Sequence, residues 1–250
     1  YNCYDLAKIS FPKKLQTIGA EAFSECAGLE SLSLPDKLRS IGDNAFALCA
    51  GLTKDSLGSG VQTIGNSAFL ECEALTSVSF PESLRTIGDY AFNACAALTK
   101  ASFQEGVKSI GMGAFQDCGE LTKVSLPKSL TYLGDSAFSG CYNLTSASLK
   151  GGLEAIGEEA FAYCELLESI SIPKSVKTIG RAAFTDCIGL TELTLQEGLE
   201  TIGEEAFADC TNLTTIKIYG KNITFGDNAL GRLGENRTII GHDGTNVEEY

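Results

Sequence analysis

The sequence predicts an α/β repeat fold, a solenoid with a curved parallel β-sheet on one face and short helical turns on the other. Three observations carry this prediction: a 23-residue period, an alternating strand pattern inside it, and a Gly-x-x-Ala-Phe-x-x-Cys segment after the strand. One copy cannot bury its own apolar face, so the copies are expected to stack. The glycine that marks the period recurs without insertion or deletion at Gly19, Gly42, Gly65, Gly88, Gly111, Gly134, Gly157, Gly180, Gly203 and Gly226.

Each copy begins with a short strand. In the second copy Ser31-Leu32-Ser33-Leu34 alternates polar and apolar residues, as in a strand with one buried face. Stacking then pairs these strands in one parallel sheet with a spacing of about 4.8 Å. Pro35 ends the strand because proline cannot donate to the ladder. Asp55 departs from the pattern at an inward position, so we expect either a partner for its carboxylate or a distorted copy.

The second half of each copy is expected to turn and then form a short helical segment. In the second copy Gly42 makes the turn, and Ala45-Phe46 begins the helical part. Acidic residues follow the glycine in several copies, where a helix N-terminus would favour negative charge. These include the pairs Glu158-Glu159 and Glu204-Glu205, which also have the composition of a glycosidase carboxylate pair but recur at one repeat position.

Composition excludes several classes of function. The 250 residues carry 19 basic and 32 acidic side chains, a net charge of −13, which disfavours nucleic acids and anionic membranes as partners. No apolar run is long enough to span a membrane, so no membrane insertion is expected. Tyr1 stands where Met would begin a complete protein, and both ends fall inside a repeat. We therefore expect one repeat domain over residues 1–250, cut from a longer protein.

The candidate chemical residues favour structural roles. The ten cysteines lie 23 residues apart, unlike the close pairs of a zinc site, and an inward column suits buried free thiols. Disulfides between adjacent copies stay open as an alternative. The single histidine, His242, lies outside the regular columns and has no nucleophile pattern around it. The sequence thus predicts no catalytic residue, no metal site and no cofactor.

The outward strand positions are the candidate binding surface. Two interpretations stay open: small polar residues that suit a tightly curved concave sheet, or a hydroxyl platform with a basic N-terminal half. Anchors such as Trp and Arg are missing from these columns, which disfavours tight binding of a compact ligand. The candidate residues are Lys8, Lys54, Lys100, Lys123, Ser33, Ser56, Ser79, Ser102 and Ser125.

Together these columns resemble the BspA-like, or Treponema-type, leucine-rich repeat. The pattern I-G-x-x-A-F-x-x-C-x-x-L with L-P-x-x-L covers essentially the whole chain. The tenth copy departs from it at Phe225, Leu230, Leu233 and Asn236, as terminal copies do. The resemblance implies a curved leucine-rich-repeat solenoid on a secreted or surface-anchored protein, most often bacterial.

The resemblance also implies a function. Members of this family act as adhesion and recognition surfaces rather than as enzymes, so we expect a protein or glycan ligand on the concave face. Two alternatives stay open: an intracellular scaffold or inhibitor, and an accessory module of a larger enzyme. The shared motif is the scaffold, so it transfers no functional residue.

Overall fold

The computed structural model describes residues 2–231 and 237–241, except for the side chain of Asp55. The partner or distortion expected for the Asp55 carboxylate therefore lies outside the described part of the structure. Twenty short strands lie in the described part of the chain. They are β1 Thr17–Ile18, β2 Ser31–Ser33, β3 Ser40–Ile41, β4 Lys54–Ser56, β5 Thr63–Ile64, β6 Ser77–Ser79, β7 Thr86–Ile87, β8 Lys100–Ser102, β9 Ser109–Ile110, β10 Lys123–Ser125, β11 Tyr132–Leu133, β12 Ser146–Ser148, β13 Ala155–Ile156, β14 Ser169–Ser171, β15 Thr178–Ile179, β16 Glu192–Leu195, β17 Thr201–Ile202, β18 Thr215–Ile218, β19 Thr224–Phe225 and β20 Thr238–Gly241.

The strands form two parallel rows. The even-numbered strands, here called the Ser/Lys row, are the predicted ones, and each pair is in register at 23 residues, as in Leu32 opposite Asp55. The odd-numbered strands form a second row at the Thr-Ile step, where a turn alone was expected. Hydrogen bonding in the Ser/Lys row is interrupted between β4 and β6, between β8 and β10, and between β14 and β16.

The predicted helical turns are wrong: the described residues contain no helix. In the second copy Asn44 and Leu48 have positive φ angles of 52° and 61°, which a right-handed helix excludes. Alternate amides instead donate to the next copy, with Asn44 N bonding Asn66 O at 2.8 Å and Phe46 N bonding Ala68 O at 2.8 Å. This segment is therefore a third ladder between copies.

The expected helix-dipole role of the acids fails for the same reason. In four copies the residue after the glycine is an Asp or Asn whose side chain accepts the backbone N–H of the equivalent residue in the next copy, namely Asp43, Asn66, Asp89 and Asp135. Asp43 Oδ1 accepts from Asn66 N at 2.8 Å, Asn66 Oδ1 from Asp89 N at 2.9 Å, and Asp89 Oδ1 from Met112 N at 2.8 Å. These oxygens satisfy amides that no helix uses.

The core follows the predicted columns. Phenylalanines from Phe23 to Phe207 stack copy on copy, with ring centroids 5.0–5.4 Å apart and interplanar angles of 2–15°. Buried residues from Ile18 to Leu230 form one apolar cluster. Within the described residues no helix has the length and apolarity to span a bilayer.

The period-marking glycines are required by crowding. A Cβ on Gly88 would lie 2.6 Å from the carbonyl carbon of Gly65 and 2.6 Å from Asn66 Oδ1. Most later copies show the same close approach, whereas Gly19, in the first copy, has no atom within 4 Å of such a Cβ. The close approach of stacked backbones is therefore what requires glycine in this column.

Candidate recognition surface on the Ser/Lys row

The strand pattern places most candidate residues on one surface. In β2, β6 and β10 of the Ser/Lys row the central residue points toward the core, so its two neighbours point outward. Register then places Lys54 beside Ser31, Ser33 beside Ser56, and Ser79 beside Ser102. We call this outward surface the Ser/Lys face.

The remaining candidates extend the same surface with one exception. Lys100 pairs with Ser77, while Lys123 and Ser125 lie on β10 opposite Ser146 and Ser148. Lys8 is exposed, but the first copy forms no strand in the Ser/Lys row. Its expected strand position is therefore wrong, and the face begins at β2.

Between β2 and β14 the outward side chains of this face form no bond between copies among the described residues. The threonines directly before the strands do form such bonds: Thr76 Oγ1 donates to Thr53 O at 3.2 Å, and Thr99 Oγ1 donates to Thr76 O at 3.0 Å. Among the described residues, by contrast, the candidate serines and lysines make no side-chain hydrogen bond or ion pair within the chain. Their polar groups are therefore available to a ligand.

The middle of the face contains an open depression of about 890 Å³ between β8 and β14. Its rim carries Lys100, Lys123 and Lys150, and its floor includes Ala101 and Ala147. The polar lining is completed by serines and threonines, namely Thr99, Ser102, Thr122, Ser125, Ser146, Ser148, Ser169 and Ser171.

The sequence analysis missed Lys150 as a site residue, whereas Ser146, Ser148, Ser169 and Ser171 belong to the outward columns that it took as the candidate surface. Lys150 occupies the column that holds Pro127 and Pro173 in neighbouring copies, so it lies outside the two outward strand columns. Lys150 could have been found from its position two residues after β12, because residues that follow adjacent parallel strands lie along the same edge of the sheet.

The charge of the face changes toward the C-terminal end. On β16 and β18, Glu192 and Lys217 form an ion pair, and their hydrogen bond raises the pKa of Lys217. Lys54, Lys100 and Lys123 have no such partner among the described residues. Lys150 has no such partner either, so the unpaired positive charge of the face lies in the first seven copies.

The cysteine column is structural. None of the ten cysteines forms a disulfide bond, and all except the exposed Cys3 are buried. Each thiol from Cys49 to Cys210 donates to the phenylalanine carbonyl of the preceding copy, as Cys118 Sγ does to Phe92 O at 3.2 Å. Burial raises the pKa of Cys164 to about 12, so this thiol stays protonated at neutral pH.

Within the described part of the chain the other candidate groups do not form a cluster of metal ligands. No group of three metal-ligating side chains occurs among residues 2–231 and 237–241. Glu158 and Glu159 both approach Arg181, at 3.7 Å and 3.0 Å, in exposed ion pairs. Glu204 and Glu205 are exposed at the same repeat position. His242 lies outside the described residues.

Comparison with known proteins settles the family. The family model described as "BspA type Leucine rich repeat region (6 copies)" matches residues 1–122 and 108–235. The chain belongs to this family. A search among curated proteins finds no match.

Solved structures of leucine-rich repeat proteins resemble these BspA-type repeats. A protein from T. pallidum is 28% identical, with a TM-score of 0.54, and the match covers 70% of this chain and 72% of that one. A Bacteroides ovatus protein is 23% identical, with a TM-score of 0.50 and coverage of 97% and 85%. A Eubacterium ventriosum protein is 20% identical, with a TM-score of 0.59 and coverage of 86% and 80%.

These comparisons identify a repeat protein and no catalytic activity. The matching family and the three solved structures are all described as leucine-rich repeat proteins. The three source organisms are bacteria. The resemblance stated from the repeat columns is thereby confirmed, and the leucine-rich-repeat solenoid with it.

Proposed function

We propose that this chain is a non-catalytic recognition and adhesion domain of a secreted or cell-surface bacterial protein. Its Ser/Lys face binds a protein or glycan. The observation that carries the proposal is the part of the face from β2 to β14, where hydroxyl and ammonium groups stand in register and form no side-chain bond between the described copies. An exposed surface of this kind has no role in folding, so a binding role explains it best.

The scaffold supports this role physically. Solenoids stack copies into an extended surface, and each copy adds one row of side chains to it. Buried thiols, stacked phenylalanines and side-chain ladders hold the neighbouring columns, so substitutions on the face leave the core intact. A substitution of Lys54, which extends the surface to β4, should likewise leave the core intact.

The test is a charge reversal on the face. The variant Lys54→Glu, Lys100→Glu, Lys123→Glu should lose binding to immobilised host-cell surface extract in biolayer interferometry. The parent's association rate should fall as ionic strength rises, because screening weakens attraction between exposed charges.

A matched variant controls for net charge. Lys37→Glu, Lys108→Glu, Lys177→Glu makes the same change in charge at exposed lysines outside the Ser/Lys row, and it should bind like the parent. If both variants melt like the parent and bind equally well, the Ser/Lys face is not the recognition surface.

A further inference from the structure

The depression between β8 and β14 is the most specific feature of the Ser/Lys face. It is an open hollow of about 890 Å³ that spans four copies, from β8 to β14. Its small floor residues, Ala101 and Ala147, alternate with Val124 and Ile170. A ligand lying here would cross several strands and would contact the same kind of side chain at each step of about 4.8 Å.

The rim of this hollow is positively charged in a strongly acidic chain. Lys100 and Lys123 project from adjacent strands, and Lys150 follows the next strand. None of these three ammonium groups has a carboxylate within 4.0 Å among the described residues. The chain carries a net charge of −13, so three unpaired lysines around one hollow favour an anionic ligand.

The lining lacks the anchors of a compact protein interface. Such interfaces centre on buried aromatic or arginine side chains. The hollow contains no Trp, Tyr or Arg, and its one aromatic residue, Phe103, is half-buried and packs edge-on against Phe115. Affinity must therefore come from charge and from many weak hydrogen bonds along an extended ligand.

The hydroxyl rows fit that requirement. Four serines, Ser102, Ser125, Ser148 and Ser171, lie in one column across β8, β10, β12 and β14. A serine hydroxyl both donates and accepts hydrogen bonds, so it can meet ring hydroxyls as well as anionic oxygens. This combination of hydroxyl rows and isolated ammonium groups is complementary to a sugar polymer with acidic substituents.

We infer that the depression binds an anionic polysaccharide, with Lys100, Lys123 and Lys150 contacting its sulfate or carboxylate groups and the serine column contacting its hydroxyls. The inference rests on the proposed function, because it assumes that the Ser/Lys face is the binding surface. It adds the ligand class and locates the site in the fifth to eighth copies.

The test uses substitutions already present in neighbouring copies. Serine occupies the column of Lys100 and Lys123 at Ser77 and Ser146, and glutamine occupies the column of Lys150 at Gln104 and Gln196. The variant Lys100→Ser, Lys123→Ser, Lys150→Gln should therefore fold like the parent. Dextran sulfate, hyaluronan, uncharged dextran and poly-glutamate serve as probes in titration calorimetry.

The parent should bind dextran sulfate and not dextran, and the variant should bind dextran sulfate about tenfold more weakly, given three exposed ionic contacts. The control removes three lysines elsewhere, as Lys37→Ser, Lys108→Gln, Lys177→Gln, and should stay within about twofold of the parent because it leaves those contacts in place. The control should fold like the parent, because Ser83 occupies the column of Lys37 and Gln62 occupies the column of Lys108 and Lys177.

Several outcomes would overturn the inference. Absence of binding to both dextran sulfate and hyaluronan excludes the polysaccharide, and preferred binding of poly-glutamate identifies an acidic protein segment instead. If the control variant loses as much affinity for dextran sulfate as the test variant, the binding is general charge attraction and the hollow is not a specific site. Each of these leaves the host-surface result for Lys54, Lys100 and Lys123 untouched, so failure of the ligand class and failure of the proposed function are distinguishable.

Discussion

The ladder of side-chain oxygens after the period-marking glycine gives a sharp test of the fold. Asp89 accepts the backbone N–H of Met112 at 2.8 Å, and its own N–H donates to Asn66 Oδ1 at 2.9 Å. In this arrangement the position needs an acceptor oxygen. The helix dipole expected from the sequence would instead favour a negative charge at this position. Asn66, a natural neutral member of the same ladder, shows that charge is dispensable.

We therefore expect Asp89→Ala and Asp89→Asn to differ. Alanine removes the acceptor and should lower the free energy of unfolding by about 1 kcal/mol, the typical loss when a side chain that caps a backbone amide is deleted. Asparagine keeps the acceptor and should stay within about 0.5 kcal/mol of the parent. Urea unfolding followed by circular dichroism gives these differences, and Glu120→Ala, an exposed acid outside the ladder, is the control.

Hydrogen exchange reports on the bond itself. The Met112 amide should exchange about fivefold faster in Asp89→Ala and at the parental rate in Asp89→Asn, because 1 kcal/mol is about a factor of five. If asparagine destabilises the protein as much as alanine does, the negative charge is what matters. The acceptor role argued from the 2.8 Å contact would then be refuted.

Three further predictions follow from the core. Gly88→Ala should cost about 1–3 kcal/mol by overpacking, because its Cβ would lie 2.6 Å from the previous copy, whereas Gly19→Ala should be nearly neutral in thermal melting. Native thiol titration with a disulfide reagent should label Cys3 alone at first, because the other nine thiols are buried. The free energy of unfolding should fall from pH 9 to about pH 12, because burial raises the folded-state pKa of Cys164 to about 12 and only the unfolded thiol ionises in that window. Phe115→Ala should cost about 3–5 kcal/mol in urea unfolding, because Phe115 contacts rings on four sides.

Each of these predictions has a contradicting result. Equal melting temperatures for the two glycine variants would remove crowding as the reason for that column. Rapid labelling of most thiols would exclude their burial. For the alkaline effect the control is Cys164→Ala, which should lose stability less steeply above pH 9, and an unchanged slope would refute the thiol linkage. A small loss in Phe115→Ala would mean that the neighbouring rings close the gap.

The columns of the core could be predicted from the sequence because burial follows directly from periodicity. Leu32 alternates with serines, and that alternation alone predicts an inward side chain. The same holds for Phe46 and Cys49, whose burial needs only the stacking of equal copies. Register came with the fixed period, since parallel neighbours 23 residues apart leave no alternative pairing.

The turn segment could not be predicted, because two backbones satisfy the same pattern. Ala45 and Cys49 lie four residues apart, a spacing that also places two residues on one face of a helix. Each of the first nine copies has two left-handed positions, and these hold Asn44, Gly113 and Gly140 but also Leu48, Ala94 and Tyr163. Such residues disfavour positive φ, so composition gave no signal, and the amide ladder between copies is what holds them there.

The candidate surface was predictable in outline but not in depth. Alternation located the outward columns, whereas the hollow depends on how four copies stack and on Lys150, whose column holds proline in both neighbouring copies. Thr76 in the column before the strands and Asp89 in the ladder hold adjacent copies together, so their side chains are constrained by the scaffold. The Ser/Lys columns are free of that constraint. Their changes from serine to lysine are therefore the part of the repeat in which ligand preference can be encoded without loss of the fold.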